Sequence, residues 1–135
     1  MKQVFLLAAV LMSSLAHAQA DFEVVADCVT TRGYGYPFRS HLIRQTTDNG
    51  YIYKYMFFAI NDPRRPSAEY GLEVLPFSSR ISGRKYNVAF GTEDNQCRVF
   101  LSGNGPHGES YIQGCGTYSN YQSRCTVNED GLESL

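Results

Sequence analysis

Four cysteines limit the folds open to this chain more than any other feature of its sequence. Cys28, Cys97, Cys115 and Cys125 are the full set in 135 residues. An even number of cysteines in a small secreted domain predicts two disulfides, and four cysteines allow three pairings between which the sequence does not choose. A zinc site is the alternative, but the chain has only three histidines and no Cys-x-x-Cys pair. We therefore expect two structural disulfides and no metal.

The first twenty residues have the layout of a secretory signal peptide. Lys2 precedes an apolar run over residues 4–12, and the segments Ala16-His17-Ala18 and Ala18-Gln19-Ala20 offer two cleavage sites. The apolar run is shorter than the roughly 18 residues that a spanning helix needs, and no later segment reaches that length. The sequence therefore predicts a secreted protein without a membrane anchor, with a domain over residues 21–127 and a flexible acidic tail over residues 128–135.

Charge and aromatic content describe a mainly β domain that is not a general nucleic-acid binder. The formal net charge is −1, and loss of Lys2 with the signal peptide leaves 11 basic against 13 acidic residues. A strongly basic balance, which is typical of proteins that bind nucleic acid through charge alone, is therefore missing. Ten tyrosines, eight phenylalanines and no tryptophan favour half-buried strands and contact surfaces.

The apolar patterns predict an α+β domain in which one helix packs on a curved antiparallel sheet of about five strands. A first strand is expected over Asp21–Thr30. A helix is expected over Pro37–Thr47, because Pro37 suits a first helical turn and Phe38 and Leu42 fall at helical spacing. The strands of the sheet are then expected at Tyr51–Ile60, Tyr70–Phe77, Lys85–Phe90, Cys97–Leu101 and Ser110–Cys115. The connections are expected at Asn61–Pro66, Ser78–Gly83, Gly91–Gln96 and Ser102–Glu109.

The segment Tyr51–Ile60 is the clearest strand in the chain. Tyr51, Tyr53 and Tyr55 recur at every second position, which places them on one face of the strand. Such a row of rings packs against other elements of the sheet or forms a stacking surface, since aromatic rings accept nucleic-acid bases without sequence preference. We therefore consider these three tyrosines as candidate binding residues.

The order of these elements resembles that of small fungal ribonucleases of the guanyl-specific and ribotoxin type. It is also similar to the ribonuclease-like secreted effectors of powdery mildew fungi. The resemblance covers Cys28 to Cys115 and rests on short segments in a fixed order. These segments are Tyr51-Ile52-Tyr53-Lys54-Tyr55, Glu73-Val74-Leu75-Pro76 and Val88-Ala89-Phe90.

The residues that cut RNA in that family are replaced or displaced in this sequence. Tyr53 stands where the family has its first catalytic histidine, and Ser102 stands where it has its general acid. Glu73 is one residue out of step with the family's general base, and a shift of one residue in a strand turns a side chain to the other face. RNA cleavage needs a base, an acid and a cation on the phosphate. The resemblance therefore implies a ribonuclease-like fold without catalysis.

From this resemblance we expect a secreted fungal effector that binds a host protein or RNA. We expect it to be a monomer without a cofactor. The resemblance does not decide whether the protein enters host cells. Lys85 and Ser102 join the three tyrosines as binding candidates. The resemblance also implies disulfides Cys28–Cys115 and Cys97–Cys125.

Two alternatives remain open. One is an active ribonuclease that uses Glu73, His107 and either Arg84 or Lys85. The other is an unrelated disulfide-linked β-sandwich, which would have no helix on its sheet and would pair Cys28 with a cysteine other than Cys115.

Overall fold

The computed structural model describes residues 22–33, 38–59, 69–116 and 120–135, and in these ranges the chain is mostly β-strand. The strands are β1 Phe22–Arg32, β2 Phe38–Thr47, β3 Gly50–Ala59, β4 Glu69–Ser82, β5 Lys85–Gly91, β6 Arg98–Asn104, β7 His107–Gln113 and β8 Tyr121–Val127. Each strand pairs antiparallel with the next, and β8 pairs back with β1, so the sheet closes into a barrel. Within these ranges no helix is long and apolar enough to cross a membrane.

The predicted α+β fold is wrong, because the expected helix is strand β2. Phe38, Ser40 and Leu42 are buried in the barrel, and Arg39 between them is exposed. Ser40 is a polar residue at an inward position, so it interrupts the alternation of apolar and polar residues that identifies a strand. β2 pairs with β1 on one side and β3 on the other, and this long-range pairing decides its conformation. Pro37 lies outside the described residues.

Two predicted connections are shorter than expected because glycines make tight turns there. β4 continues to Ser82, and Gly83 turns the chain at a φ of 61°. β6 continues to Asn104, and Gly105 turns the chain at the same φ. Only glycine adopts these left-handed conformations without a steric penalty, so a short hairpin replaces the predicted glycine-rich loop. The expected loop Asn61–Pro66 lies outside the described residues.

The polar segment after Cys115 contains the strand that closes the barrel. In β8, Tyr121, Ser123, Cys125 and Val127 are buried and alternate with exposed residues. The chain then enters a short 3-10 helix, Glu129–Leu132, whose Leu132 packs into the core cluster. The acidic tail is therefore placed against the end of the barrel.

The expectation of two disulfides is confirmed, but both predicted pairings are wrong. The bonds join Cys28 to Cys125 and Cys97 to Cys115. Cys28 lies directly opposite Cys125 in the pairing of β1 with β8, with 4.0 Å between their Cα atoms. The resemblance placed Cys115 beside the first strand, whereas the barrel places β8 there. The β-sandwich alternative has no helix on its sheet and bonds Cys28 to a cysteine other than Cys115. The described residues share both features, but their sheet closes as a barrel.

Side chains fill the barrel interior. Tyr55, Phe57 and Phe90 are among the largest fully buried residues, as expected for a barrel of this size. Ser40 and Tyr55 place their hydroxyl oxygens 2.8 Å apart in this core. Burial raises the pKa of the Tyr55 phenol, and the hydrogen bond with Ser40 partly offsets that rise.

Candidate functional site

The residues predicted for an active ribonuclease do not come together in the barrel. Glu73 lies on β4, opposite Lys54 of β3 and beyond the end of β5. Lys85 begins β5 at the opposite end, where it pairs with Ser82, so the stretch of β4 from Glu73 to Ser82 separates the two by roughly 30 Å of strand rise. A carboxylate and an ammonium group at this separation do not act on one phosphate.

The other two residues of that set are also placed apart from Glu73. The Arg84 guanidinium donates hydrogen bonds of 3.1 and 2.9 Å to the carboxylate of Glu129. His107 begins β7, opposite Asn104 and beside the same end of the barrel as Arg84. In the described ranges, no three His, Cys, Asp or Glu side chains cluster as metal ligands.

The candidate binding tyrosines share one face of β3, as their spacing predicts, but that face points into the barrel. Tyr53 and Tyr55 are 5% and 1% exposed, so their rings are not accessible to a ligand. Tyr51 is at the barrel end and is 47% exposed, with the Arg44 guanidinium 4.2 Å from its ring centroid. Tyr53 contacts the chain end through a 2.6 Å hydrogen bond between its hydroxyl and that of Ser134.

The remaining two binding candidates lie on the outer surface. Lys85 and Ser102 are exposed on the neighbouring strands β5 and β6, with Ser102 opposite Asn87. Tyr53 and Glu73 do not join them on one concave face, which removes the geometric basis of the ribonuclease resemblance.

A groove of about 390 Å³ crosses the outer surface of β6, β7, β8 and the end of β1. We call it the outer groove. It is lined by Thr31, Arg32, Phe100, Ser102, Glu109, Ser110, Tyr111, Gln122, Ser123 and Arg124. The volume is within the range of small-ligand sites. Ser110 and Ser123 are buried, so alternation turns their side chains into the barrel and leaves their backbone as the floor.

Strand pairing places the outward side chains of the outer groove in two rows. One row holds Phe100, Tyr111, Gln122 and Arg32, and the other holds Ser102, Glu109 and Arg124. Side chains directly opposite on neighbouring strands lie about 5 Å apart at Cβ. A ligand in the groove would therefore contact aromatic and charged groups together.

Aromatic rings extend from the outer groove toward β4. The Phe100 ring centroid is 6.5 Å from that of Tyr111 and 6.5 Å from that of Phe77. The Tyr111 hydroxyl donates a 3.0 Å hydrogen bond to the side chain of Asn120. Phe100 and Tyr111 are half-buried, so packing orients their rings while part of each remains available for stacking.

Arg32 and Arg124 are positive charges that have no carboxylate partner in the part of the chain that the structure describes. By contrast, Arg39 donates two hydrogen bonds to the carboxylate of Asp27, and this hydrogen bonding holds the Asp27 pKa below its usual value. Among the described residues, no carboxylate lies within 4.0 Å of Arg32 or Arg124. Glu109 is opposite Arg124 in the strand pairing without forming an ion pair. The outer groove therefore has one carboxylate and two available guanidinium groups.

Comparison with known proteins found no relative. The scan of protein-family models, the search of curated proteins and the search of solved structures each returned no match. The suggested identity as a ribonuclease-like fungal effector is therefore wrong: the described residues form a closed barrel without an α-helix on its sheet, and no family match supports that identity. The effector and virulence expectations came from that resemblance and have no support in the fold or the comparisons. The function has to be argued from the outer groove.

Most of the outer groove was missed in the sequence because its strands are distant in the chain. Ser102 is the one residue shared with the predicted binding set. A period of two from Tyr121 to Val127 is the signal that could have identified β8 and placed Arg124 outward. No signal in the sequence shows that β8 lies between β7 and β1, since only closure of the barrel brings them together.

Proposed function

We propose that this chain is a secreted, non-catalytic protein that binds single-stranded RNA in the outer groove. The observation that carries the proposal is that Arg32 and Arg124, which have no carboxylate partner in the described ranges, line the same groove as the rings of Phe100 and Tyr111. Aromatic rings accept bases by stacking, and guanidinium groups bind phosphate through paired hydrogen bonds. A groove that offers both along one line suits a short run of nucleotides.

The residues of the outer groove set the expected strength of binding. Stacking contributes about 1–3 kcal/mol per base, and two rings are available. The net charge of −1 adds no general attraction for RNA, and Glu109 inside the groove opposes it. We therefore expect micromolar affinity, equivalent to about −8 kcal/mol, with binding confined to a few nucleotides.

The proposal excludes cleavage of the bound RNA because the lining of the outer groove has too few proton-transfer groups. Glu109 is the carboxylate in that lining, and no histidine is part of it. Cleavage of RNA by internal transfer requires both a base for the 2′-hydroxyl and an acid for the leaving oxygen. The bound RNA is expected to stay intact.

Secretion is part of the same proposal. The N-terminal pattern of a signal peptide motivates it, and two disulfides are compatible with an oxidising compartment outside the cytosol. Mass determination of the protein from the medium of a secreting culture would test this, and cleavage after Ala18 or Ala20 is the expected result.

A titration with labelled RNA tests the binding site. Fluorescence anisotropy with a single-stranded octamer should show a Kd that rises about sevenfold between about 50 and 200 mM salt, as expected when two phosphates are neutralised. Combined R32Q and R124Q should weaken binding about tenfold or more and flatten the salt dependence. The matched control is R80Q, which removes an exposed positive charge on β4 outside the groove.

Three results would contradict the proposal. Affinity that is insensitive to salt, or equal in the wild type and in the combined R32Q and R124Q variant, would remove RNA as the ligand of the outer groove. Appearance of cyclic phosphate products during the titration would show that the protein is catalytic.

A further inference from the structure

β4 has an open edge over its second half. β3 pairs with β4 only as far as Tyr53 opposite Val74, whereas β5 continues along β4 from Leu75 to Ser82. β2 pairs with the other edge of β3 along its whole length, so Gly50–Ile52 of β3 have β2 as their only partner strand among the described residues. Among the described residues, nothing pairs with the other side of Leu75–Ser82. We call this side of Leu75–Ser82 the β4 edge.

An open edge exposes backbone hydrogen-bonding groups in a regular row. In an antiparallel pair, every second residue points its N–H and C=O away from its partner strand, so the β4 edge presents such groups to solvent. This row is a template for another extended chain. Pro76 lies in this part of β4, and proline within a strand is found where its missing N–H is not needed by a neighbour.

The two faces of the β4 edge differ in polarity. Ile81 is opposite Tyr86 and therefore shares the inward face, yet it is 45% exposed because β3 has departed. On the same side, a cleft of about 470 Å³ lies between Tyr51 and Pro76, and Ser134 and Leu135 at the end of the chain also line it. The outward face carries Arg80, which is exposed and opposite Asn87. The outward face also carries the exposed side chains of Leu75 and Phe77 near its other end. At the Ser82 end of the edge, the inward face is therefore apolar and the outward face is cationic.

The charge along this hairpin has one sign. Residues 75–91 contain Arg80, Arg84 and Lys85 and no Asp or Glu. Arg84 is bound by Glu129, whereas no carboxylate lies within 4.0 Å of Arg80 or Lys85 among the described residues. The charge complement of this edge is an acidic partner.

We propose that the β4 edge binds an extended segment of another protein, with alternating apolar and acidic residues, as an added β-strand. The backbone of the segment pairs with Leu75–Ser82. Its apolar side chains lie over the cleft beside Ile81 and Tyr51. Its acidic side chains face Arg80, and Lys85 adds positive charge one strand further away on the same surface. This site is separate from the outer groove and does not depend on RNA binding there.

The cationic edge argues against a second copy of this chain as the occupant. Antiparallel pairing of two β4 edges would bring two copies of Arg80 and Lys85 close together, and like charges on neighbouring strands repel. A charged residue on an edge also protects a barrel from aggregation. Protection alone and binding of an acidic strand make different predictions with peptides.

The main test compares synthetic peptides on the wild-type protein, so its outcome does not depend on whether a variant folds. The probe is a capped heptapeptide of alternating valine and glutamate, and its control replaces each glutamate by lysine. Two further peptides carry N-methyl groups on all valine amides or on all glutamate amides. In an extended peptide of this pattern, the valine N–H groups point to one edge and the glutamate N–H groups to the other. An added strand pairs through only one of its edges, so one of the two methylated peptides should lose binding and the other should keep it.

Binding is followed by anisotropy, and amide hydrogen exchange is followed at Leu75–Ser82. The valine–glutamate peptide should bind and slow hydrogen exchange at Leu75–Ser82. The lysine control should bind about tenfold more weakly. The R80E variant should bind the valine–glutamate peptide more weakly than the wild type, by a similar factor. The R32Q and R124Q variant should bind this peptide normally, which separates this site from the outer groove.

Three results would overturn the proposal. These are no binding of the valine–glutamate peptide up to about 1 mM, equal binding of the two methylated peptides, or equal binding of the glutamate and lysine peptides. Concentration-dependent dimerisation that protects Leu75–Ser82 without any peptide would assign the edge to a second copy and would also overturn it.

Discussion

Hydroxyl groups lie among the apolar side chains inside the barrel. Ser40 and Tyr55 satisfy each other through a 2.8 Å hydrogen bond, and both are buried. Ser110 and Ser123 face each other across β7 and β8, and the Ser123 hydroxyl oxygen has no hydrogen-bond partner among the described residues. Polar residues at inward positions weaken the alternation that identifies strands in a sequence.

The Ser40–Tyr55 pair predicts a double-mutant cycle that is not additive. Y55F and S40A should each lower the free energy of unfolding by about 1–2 kcal/mol, because each leaves one buried hydroxyl without its partner. The combined variant should lose less free energy of unfolding than the two single variants added together, since neither hydroxyl of the pair remains to be left without a partner. Urea denaturation measures all four proteins, with S123A as a control that should have little effect. Additive losses would show that the two hydroxyls do not interact.

At the scale of elements, strands with apolar inward residues can be recognised from the sequence, whereas strands with polar inward residues cannot. β1, β3 and β5 were predicted close to their observed positions, because their inward residues are apolar or aromatic. β2 and β8 were missed because Ser40 and Ser123 interrupt their inward rows. The outer groove combines four strands, and the neighbours of each strand follow from barrel closure, which local patterns do not contain.

A glycine after β7 should be much less replaceable than a glycine in a hairpin turn. Gly83 and Gly114 both have left-handed φ values, 61° and 72°. A Cβ on Gly83 would meet nothing within 4 Å, whereas one on Gly114 would lie 1.9 Å from the Gln96 carbonyl oxygen. G83A should lower the free energy of unfolding by about 1–2 kcal/mol, and G114A by about 3 kcal/mol or more. Equal losses in urea denaturation would show that this backbone contact is absent.

At the scale of the whole molecule, the Cys28–Cys125 bond secures the pairing that turns a sheet into a barrel. It joins β1 to β8 across 97 positions of sequence, whereas Cys97–Cys115 closes a local segment of 18. In the chain-entropy view, a crosslink restricts the unfolded chain more when its loop is longer. The bond between the first and last strands is therefore the stronger restraint.

The two disulfides should differ in their effect on stability. Combined C28A and C125A should lower the free energy of unfolding by about 4–5 kcal/mol, and combined C97A and C115A by about 3 kcal/mol. A small domain has a free energy of unfolding of about 5–15 kcal/mol, so loss of the Cys28–Cys125 bond could remove most of the stability of the protein. Urea denaturation compares the pairs, and non-reducing peptide mapping confirms the connectivity. A larger loss from the C97A and C115A pair would contradict this ranking.

The covalent joining of the first and last strands makes the described chain nearly a ring. A protease that nicks one exposed turn, such as that at Gly83, would produce two fragments that remain tethered through Cys28 and Cys125. Each fragment would keep its hydrogen-bonded neighbours, so the nicked molecule could hold its shape. Digestion would then require a second cut or a reductant, which is scarce in oxidising surroundings.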